Sequence, residues 1–265
     1  MELLTSFLYQ LVFTIGVIVV FGLIIAFARR SIARLGRAGY NAIIFTGVVG
    51  TPVHELGHAI ACFIFGHRVE EICLYQPSGE DGALGYVTHS FNRKSIYQQI
   101  GNFFIGIAPI LFGCAVLIGL MALMLPDTFS SLMVEFNAVK GLDGGLVNAV
   151  KDFFLCMVNA LILNESNFSN VWWYVYIVLA LMISSHMELS GADIVGSLKG
   201  LLYLVVLVAI VDTALYIISV PTLLTVTGAV VSASFIVISF LLISLVFSLL
   251  MLAIALVVKI IKGIF

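Results

Sequence analysis

Residues 41–65 read NAIIFTGVVGTPVHELGHAIACFIF. The run is long enough to cross a bilayer, yet two histidines and a glutamate sit in its second half. Ionisable groups at that depth are costly and need a partner or a metal. His54 and His58 are four residues apart, so on a helix they leave one face. Two imidazoles at that spacing reach one zinc ion, each at about 2.0–2.1 Å. Glu55 lies beside them without ligating. It can take a proton from zinc-activated water, whose pKa falls from about 15.7 to about 7, and pass it to a leaving amine. Gly47 and Gly50 loosen the first half of the run, and Thr51-Pro52 carries N-cap and N1 chemistry. A helix is therefore expected to begin or restart at Thr51, giving a zinc helix over about 51–65.

The rest of the chain is equally apolar. Hydrophobic residues make up 62% of it and charged residues 10%, against about a quarter charged in soluble domains. That composition predicts an integral membrane protein in a lipid bilayer. The net charge of −2 gives no basic surface for nucleic acid. Apolar segments near 7–28, 41–65, 100–125, 171–187, 200–220 and 225–258 predict an all-α polytopic fold of about six transmembrane helices. A weaker segment, 153–163, is too short to span and is expected to be re-entrant or interfacial. Glu2 stands where a signal peptide would carry positive charge, so the first run is expected to remain as a span. No polar stretch is long enough to fold alone, so residues 1–265 read as one membrane-embedded domain. Basic residues divide evenly between the two sides, which leaves orientation open. Oligomeric state is not legible either. Cys62, Cys73, Cys114 and Cys156 form no CxxC pair and read as apolar filler.

Residues 66–99 form the most polar loop. Within it, Gly82 to His89 has the glycines and β-branched and aromatic residues of an extended or β-hairpin segment. A catalytic zinc site takes a third protein ligand and leaves a fourth position for water. Three candidates follow. Asp193 lies in a break between apolar segments, in a region of about 184–200. It reads either as a ligand or as the partner of Ser190 in a helix capping box. His186 reads as a ligand, as a support for one, as a substrate contact, or as an interfacial residue. Asp143, in Gly141-Leu-Asp-Gly-Gly145, reads as a ligand or as a loop turn.

Thr51-Pro-Val-His-Glu-Leu-Gly-His-Ala59 resembles the zinc helix of the site-2 protease family of intramembrane metalloproteases. The resemblance covers about residues 41–220, and only this first motif is highly specific. It implies an aspartate as third ligand, usually in a Leu-Asp-Gly step. Leu142-Asp143-Gly144 has those letters, whereas Asp193 has the extended approach and the apolar helix that follows. The resemblance favours Asp193, with Asp143 as the alternative and His186 close to where the family has an asparagine. It implies that Gly85-Tyr-Val-Thr-His89 helps bind substrate and that Gly106-Ile-Ala-Pro109, which lacks the family's asparagine, packs beside the zinc helix. It further implies a membrane protein or peptide substrate and a location in a bacterial cell membrane.

Several residues keep two readings. His89 is a substrate contact or a surface histidine. Asn102 binds an extended substrate or caps a helix start. Asp212, mid-way along an apolar segment, is functional or pairs with a polar neighbour. Trp172 and Trp173 fit an interfacial belt. The gaps at Gly47, Gly50 and Pro52 are expected to help admit water. The functional expectation is zinc-dependent hydrolysis of a peptide bond in or next to a transmembrane segment. The alternatives are a non-proteolytic membrane protein with a structural zinc site, and an ion-coupled transporter using Asp193, Asp212 and His186.

Overall fold

A computed structural model describes residues 2–77, 83–139 and 145–264. Asp143 lies outside these residues. Helix α1 (Glu2–Gln10) runs through a π-helical stretch, Leu11–Gly16, into α2 (Val17–Ala33). Helix α3 (Arg37–Ile64) follows Gly36, whose φ of 70° reverses the chain. Strands β1 (Arg68–Cys73) and β2 (Tyr86–Ser90) come next, then α4 (Ile96–Met124), α5 (Pro126–Val139) and α6 (Leu146–Val158). The last three helices are α7 (Val171–Ser184), α8 (Gly191–Ile218) and α9 (Val220–Ile264).

Among the described residues, five helical stretches are long and apolar enough to cross a membrane: Glu2–Ala33, Ile96–Met124, Leu146–Ser169, Gly191–Ile218 and Val220–Ile261. This is the make-up of a multi-pass membrane protein. Four of the six expected spans correspond. The other two need correction. Helix α7 has 14 residues, because the chain leaves the helix at Ser184 for an extended stretch. Helix α3 is long, but its glycines, threonines, histidines and Glu55 dilute its apolar character. The stretch read as too short, 153–163, belongs to a longer one, because α6 starts at Leu146 and a π-helical segment continues it to Leu163.

No helix begins at Thr51. Helix α3 is continuous from Arg37 to Ile64 with Pro52 inside it. Proline removes one backbone hydrogen bond, and the remaining ladder carries the helix through. Thr51 is buried beside His186 instead of capping a helix end.

The hydrophobic core joins α4, α6, α7 and α9 through residues such as Ile110, Leu117, Phe153, Tyr176, Phe235 and Phe240. Helix α8 fully buries only Gly200 and Asp212. Its lipid-like outer face cannot drive packing by the hydrophobic effect, so close backbone contact must hold it. Two glycines provide that contact. A Cβ at Gly200 would lie 2.4 Å from the Phe103 backbone nitrogen, and one at Gly106 would lie 2.8 Å from the Asp193 carbonyl oxygen. The crossing of α4 and α8 thus brings the first turn of α8 against Gly106 of α4. Gly200→Ala is expected to push the helices apart and cost about 1–3 kcal/mol, the usual range for overpacking. Thermal unfolding in detergent checks this. An unchanged midpoint would mean that the contact is not limiting.

Strands β1 and β2 pair antiparallel, with Val69 opposite His89 and Cys73 opposite Tyr86. This is the short hairpin-like element expected after the zinc helix. Gly85 lets it sit on α3, since a Cβ there would lie 2.8 Å from Thr51 Cγ2 and 2.9 Å from Glu55 Cγ.

Candidate metal centre

His54 and His58 project from one face of α3, as their spacing predicts. His54 Nδ1 lies 2.8 Å from the His186 backbone oxygen, and His58 Nδ1 lies 2.8 Å from the Ile105 backbone oxygen. A carbonyl oxygen only accepts, so each Nδ1 carries the proton. The two Nε2 atoms, which have no backbone partner, face each other at 3.2 Å. Asp193 joins them, with Oδ1 3.2 Å from His58 Nε2 and Oδ2 3.9 Å from His54 Nε2. Two imidazole nitrogens and a carboxylate at this range need a shared proton or a metal cation between them. The three side chains offer ligand atoms within 4.8 Å of one another, close enough for a single metal ion. The backbone acceptors behind the histidines fix tautomer and ring orientation, as supports around metal ligands do.

Asp193 forms a helix cap and also stands beside the two histidines. Its Oδ2 accepts from the Ser190 backbone N–H at 2.9 Å, and its own N–H donates to Ser190 Oγ at 3.1 Å, a complete capping box. The box holds the side chain so that Oδ1 is left for His58. Capping is what orients the carboxylate.

His186 reaches the centre by its backbone alone. Thr46 Oγ1 donates to the Ala42 carbonyl at 2.9 Å, so it accepts from His186 Nε2–H at 3.0 Å. His186 Nδ1 faces Thr51 Oγ1 at 3.5 Å. The ring is thus turned away from the other two histidines. It also occupies the space above Gly50, where a Cβ would meet its Cδ2 at 2.6 Å. Leu84 fills the space at Gly47 in the same way. The gaps expected to admit water are therefore packed with side chains.

A cavity of about 820 Å³ opens beside the three ligand candidates. Glu55, Asn102 and His89 line it, as do Gly85, Tyr86 and Val87 around β2. Asn102 is not a helix cap. Helix α4 begins at Ile96 with Ser95 as its cap, and Asn102 Nδ2 donates to the Gln98 carbonyl at 3.3 Å. His89 is half-buried on β2 and meets His67, with the two Nδ1 atoms 3.1 Å apart. Gly57 allows α4 to press on α3 here, since a Cβ would lie 3.1 Å from the Ala108 oxygen and from Pro109. The Gly106–Pro109 stretch therefore does pack beside the helix of the two histidines.

Two wall residues escaped the sequence reading. Arg29 of α2 pairs with Glu188, and both line the cavity. Arg29 directly follows the first apolar run. Only its distant partner marks it as part of the cavity wall.

Asp212 lies outside the cavity. Gln10 Nε2 donates to its two oxygens at 3.0 and 3.2 Å and also reaches Thr227 Oγ1 at 3.0 Å. The helical rise puts it roughly 28 Å along α8 from Asp193. It is a polar tie between α1, α8 and α9. Asp212→Asn, which keeps an acceptor for Gln10, is expected to leave metal content unchanged and to lower the unfolding temperature by a few degrees at most. Loss of metal from that variant would overturn the assignment as a tie.

No protein-family model matches this chain, and no match is found among curated proteins or solved structures.

Proposed function

We propose that this chain is an intramembrane zinc metalloprotease that cleaves a peptide bond in or next to a transmembrane segment of a membrane protein substrate. The carrying observation is the convergence of two Nε2 atoms and one carboxylate oxygen, with both histidines locked from behind by backbone carbonyls. A set of two histidines and a carboxylate suits zinc and leaves a position for water or substrate. His54, His58 and Asp193 would hold the ion. When bound, zinc supplies a Lewis acid that acidifies water and polarises a carbonyl.

The protein's own residues account for the remaining steps. Glu55 follows His54 on α3 and faces the cavity without ligating. Its carboxylate takes the proton from the attacking water. It returns that proton to the amide nitrogen as the carbon–nitrogen bond breaks. Strand β2 pairs with β1 along one edge, which leaves its other edge for an extended substrate segment. Such pairing holds the unwound peptide open, since a helical peptide bond is shielded by its own hydrogen bonds. Asn102 and His89 on the cavity wall stand within reach of that segment.

The structural reading of this centre takes both Asp193 and His186 as ligands, which would close it with four protein groups. His186, the fourth ligand that reading needs, has its ring engaged with Thr46 and Thr51. The transporter reading needs Asp212 on a path with Asp193, and Asp212 is tied to Gln10 instead. The test is chelator-sensitive hydrolysis of transmembrane peptides by the chain reconstituted in vesicles, with zinc content measured in parallel. Zinc-replete protein that cleaves no such peptide, alongside a Glu55→Gln variant of unchanged properties, would overturn the protease reading.

A further inference from the structure

A second set of potential ligands lies one helical turn beyond His58. Helix α3 ends in a Schellman turn. His67 N–H donates to the Cys62 carbonyl at 2.8 Å, Gly66 N–H donates to the Phe63 carbonyl at 3.2 Å, and Gly66 takes φ +68°. This turn characteristically brings the side chain just past the helix end over the one three residues before its cap, and the pair is usually apolar. Here the two are His67 and Cys62, both buried. The hairpin adds a third group, because pairing of Val69 with His89 brings the His89 imidazole to His67.

The chemistry of the three is specific. His67 Nε2 lies 2.9 Å from the Gln98 backbone oxygen, so it carries the proton and Nδ1 is bare. That Nδ1 faces His89 Nδ1 at 3.1 Å, close to the separation of two nitrogens on one tetrahedral zinc ion. Cys62 Sγ completes a triangle in which all ligand atoms lie within 4.8 Å of one another. The Gln98 carbonyl supports His67 from behind, as the Ile105 carbonyl supports His58. His89 also borders the cavity, which gives an ion a route in.

We propose that Cys62, His67 and His89 form a second zinc site, separate from the His54–His58–Asp193 centre, and that its ion pins the β-hairpin to the end of α3. The fourth position is left to water. The bound ion would fix the strand edge at a set distance from Glu55 without taking part in hydrolysis.

The experiment uses the full-length chain, purified in detergent under zinc-replete conditions and freed of loosely bound metal. Wild type is expected to hold about two zinc ions per chain. Cys62→Ser and His89→Gln should each lower this to about one. Asp193→Ala should also lower it to about one, by emptying the other centre. His89 lies on the half-buried strand, so its variant tests the site even where loss of Cys62 disturbs the helix. Cobalt substitution gives an independent readout. A thiolate-to-cobalt charge-transfer band should be present in wild type and in Asp193→Ala, and absent in Cys62→Ser. Wild type with one zinc, lost on Asp193→Ala and retained in Cys62→Ser and His89→Gln, would overturn the second site and leave the protease reading intact. One zinc that is lost in Cys62→Ser and retained in Asp193→Ala would do the reverse. A charge-transfer band that survives Cys62→Ser would also overturn the assignment.

Discussion

Glu55→Gln is expected to lower the rate of peptide hydrolysis by roughly 10²–10⁴-fold, the usual contribution of a positioned general acid–base group. Glutamine has nearly the same shape and fills the same space beside Gly85. It cannot accept a proton from water at neutral pH or return one to a departing amine. Zinc content should stay at the wild-type level, because His54, His58 and Asp193 supply the converging ligand atoms and Glu55 does not. The two measurements separate the readings. A fall in turnover with metal retained identifies Glu55 as the proton carrier. Metal lost together with turnover would make Glu55 a ligand or a folding determinant. An unchanged rate would remove it from the chemistry and favour a structural role for the centre.

Substitutions at Asp193 carry the second large effect, and comparing two of them separates its two roles. Asp193→Asn keeps an oxygen that can accept from the Ser190 N–H, so the capping box can persist. It removes the negative charge that would balance a cation held between the two imidazoles. Zinc affinity should fall by more than the roughly 10–100-fold that losing a support behind a ligand costs, while thermal stability of the metal-free protein stays near wild type. Asp193→Ala removes the cap as well. Its metal-free form should lose a further ~1 kcal/mol, the usual value of a helix N-terminal cap. Zinc titration by competition with a chelator, with unfolding followed in parallel, checks both. Wild-type affinity in the asparagine variant would exclude Asp193 as a ligand, and Asp143 would become the residue to test.

The close contacts that build the centre explain why these effects should be large. A Cβ would collide with a neighbouring backbone at Gly106 and Gly200 and would crowd one at Gly57. They allow α3, α4 and α8 to approach until Asp193 meets His58. Hydrophobic burial cannot supply this approach in lipid, so small residues and polar ties such as Gln10–Asp212 must do it. A change far from the centre that opens the α4–α8 crossing should therefore weaken metal binding through geometry alone.

Much of this arrangement is local, and so it can be read from the residues in order. The histidine pair on one helix face follows from the helical period, and the hairpin from its glycines and β-branched residues. Length and apolar character predict most of the spans. Other features depend on partners far away in the chain. Proline and two glycines suggested a break at Thr51, but the remaining hydrogen-bond ladder carries helix α3 through, and His186 and Leu84 pack over the two glycines. The sequence posed capping and ligation as rivals for Asp193. The carboxylate has two oxygens: the capping box engages Oδ2 and leaves Oδ1 3.2 Å from His58 Nε2. His186 has the right chemistry for a ligand, yet Thr46 and Thr51 hold its ring and only its carbonyl reaches His54. Cys62 reads as apolar filler until the helix end folds His67 over it and the sheet register adds His89. Spacing along the chain determines which side chains share a face. Their facing partners, and which of their atoms meet them, depend on how closely the helices pack.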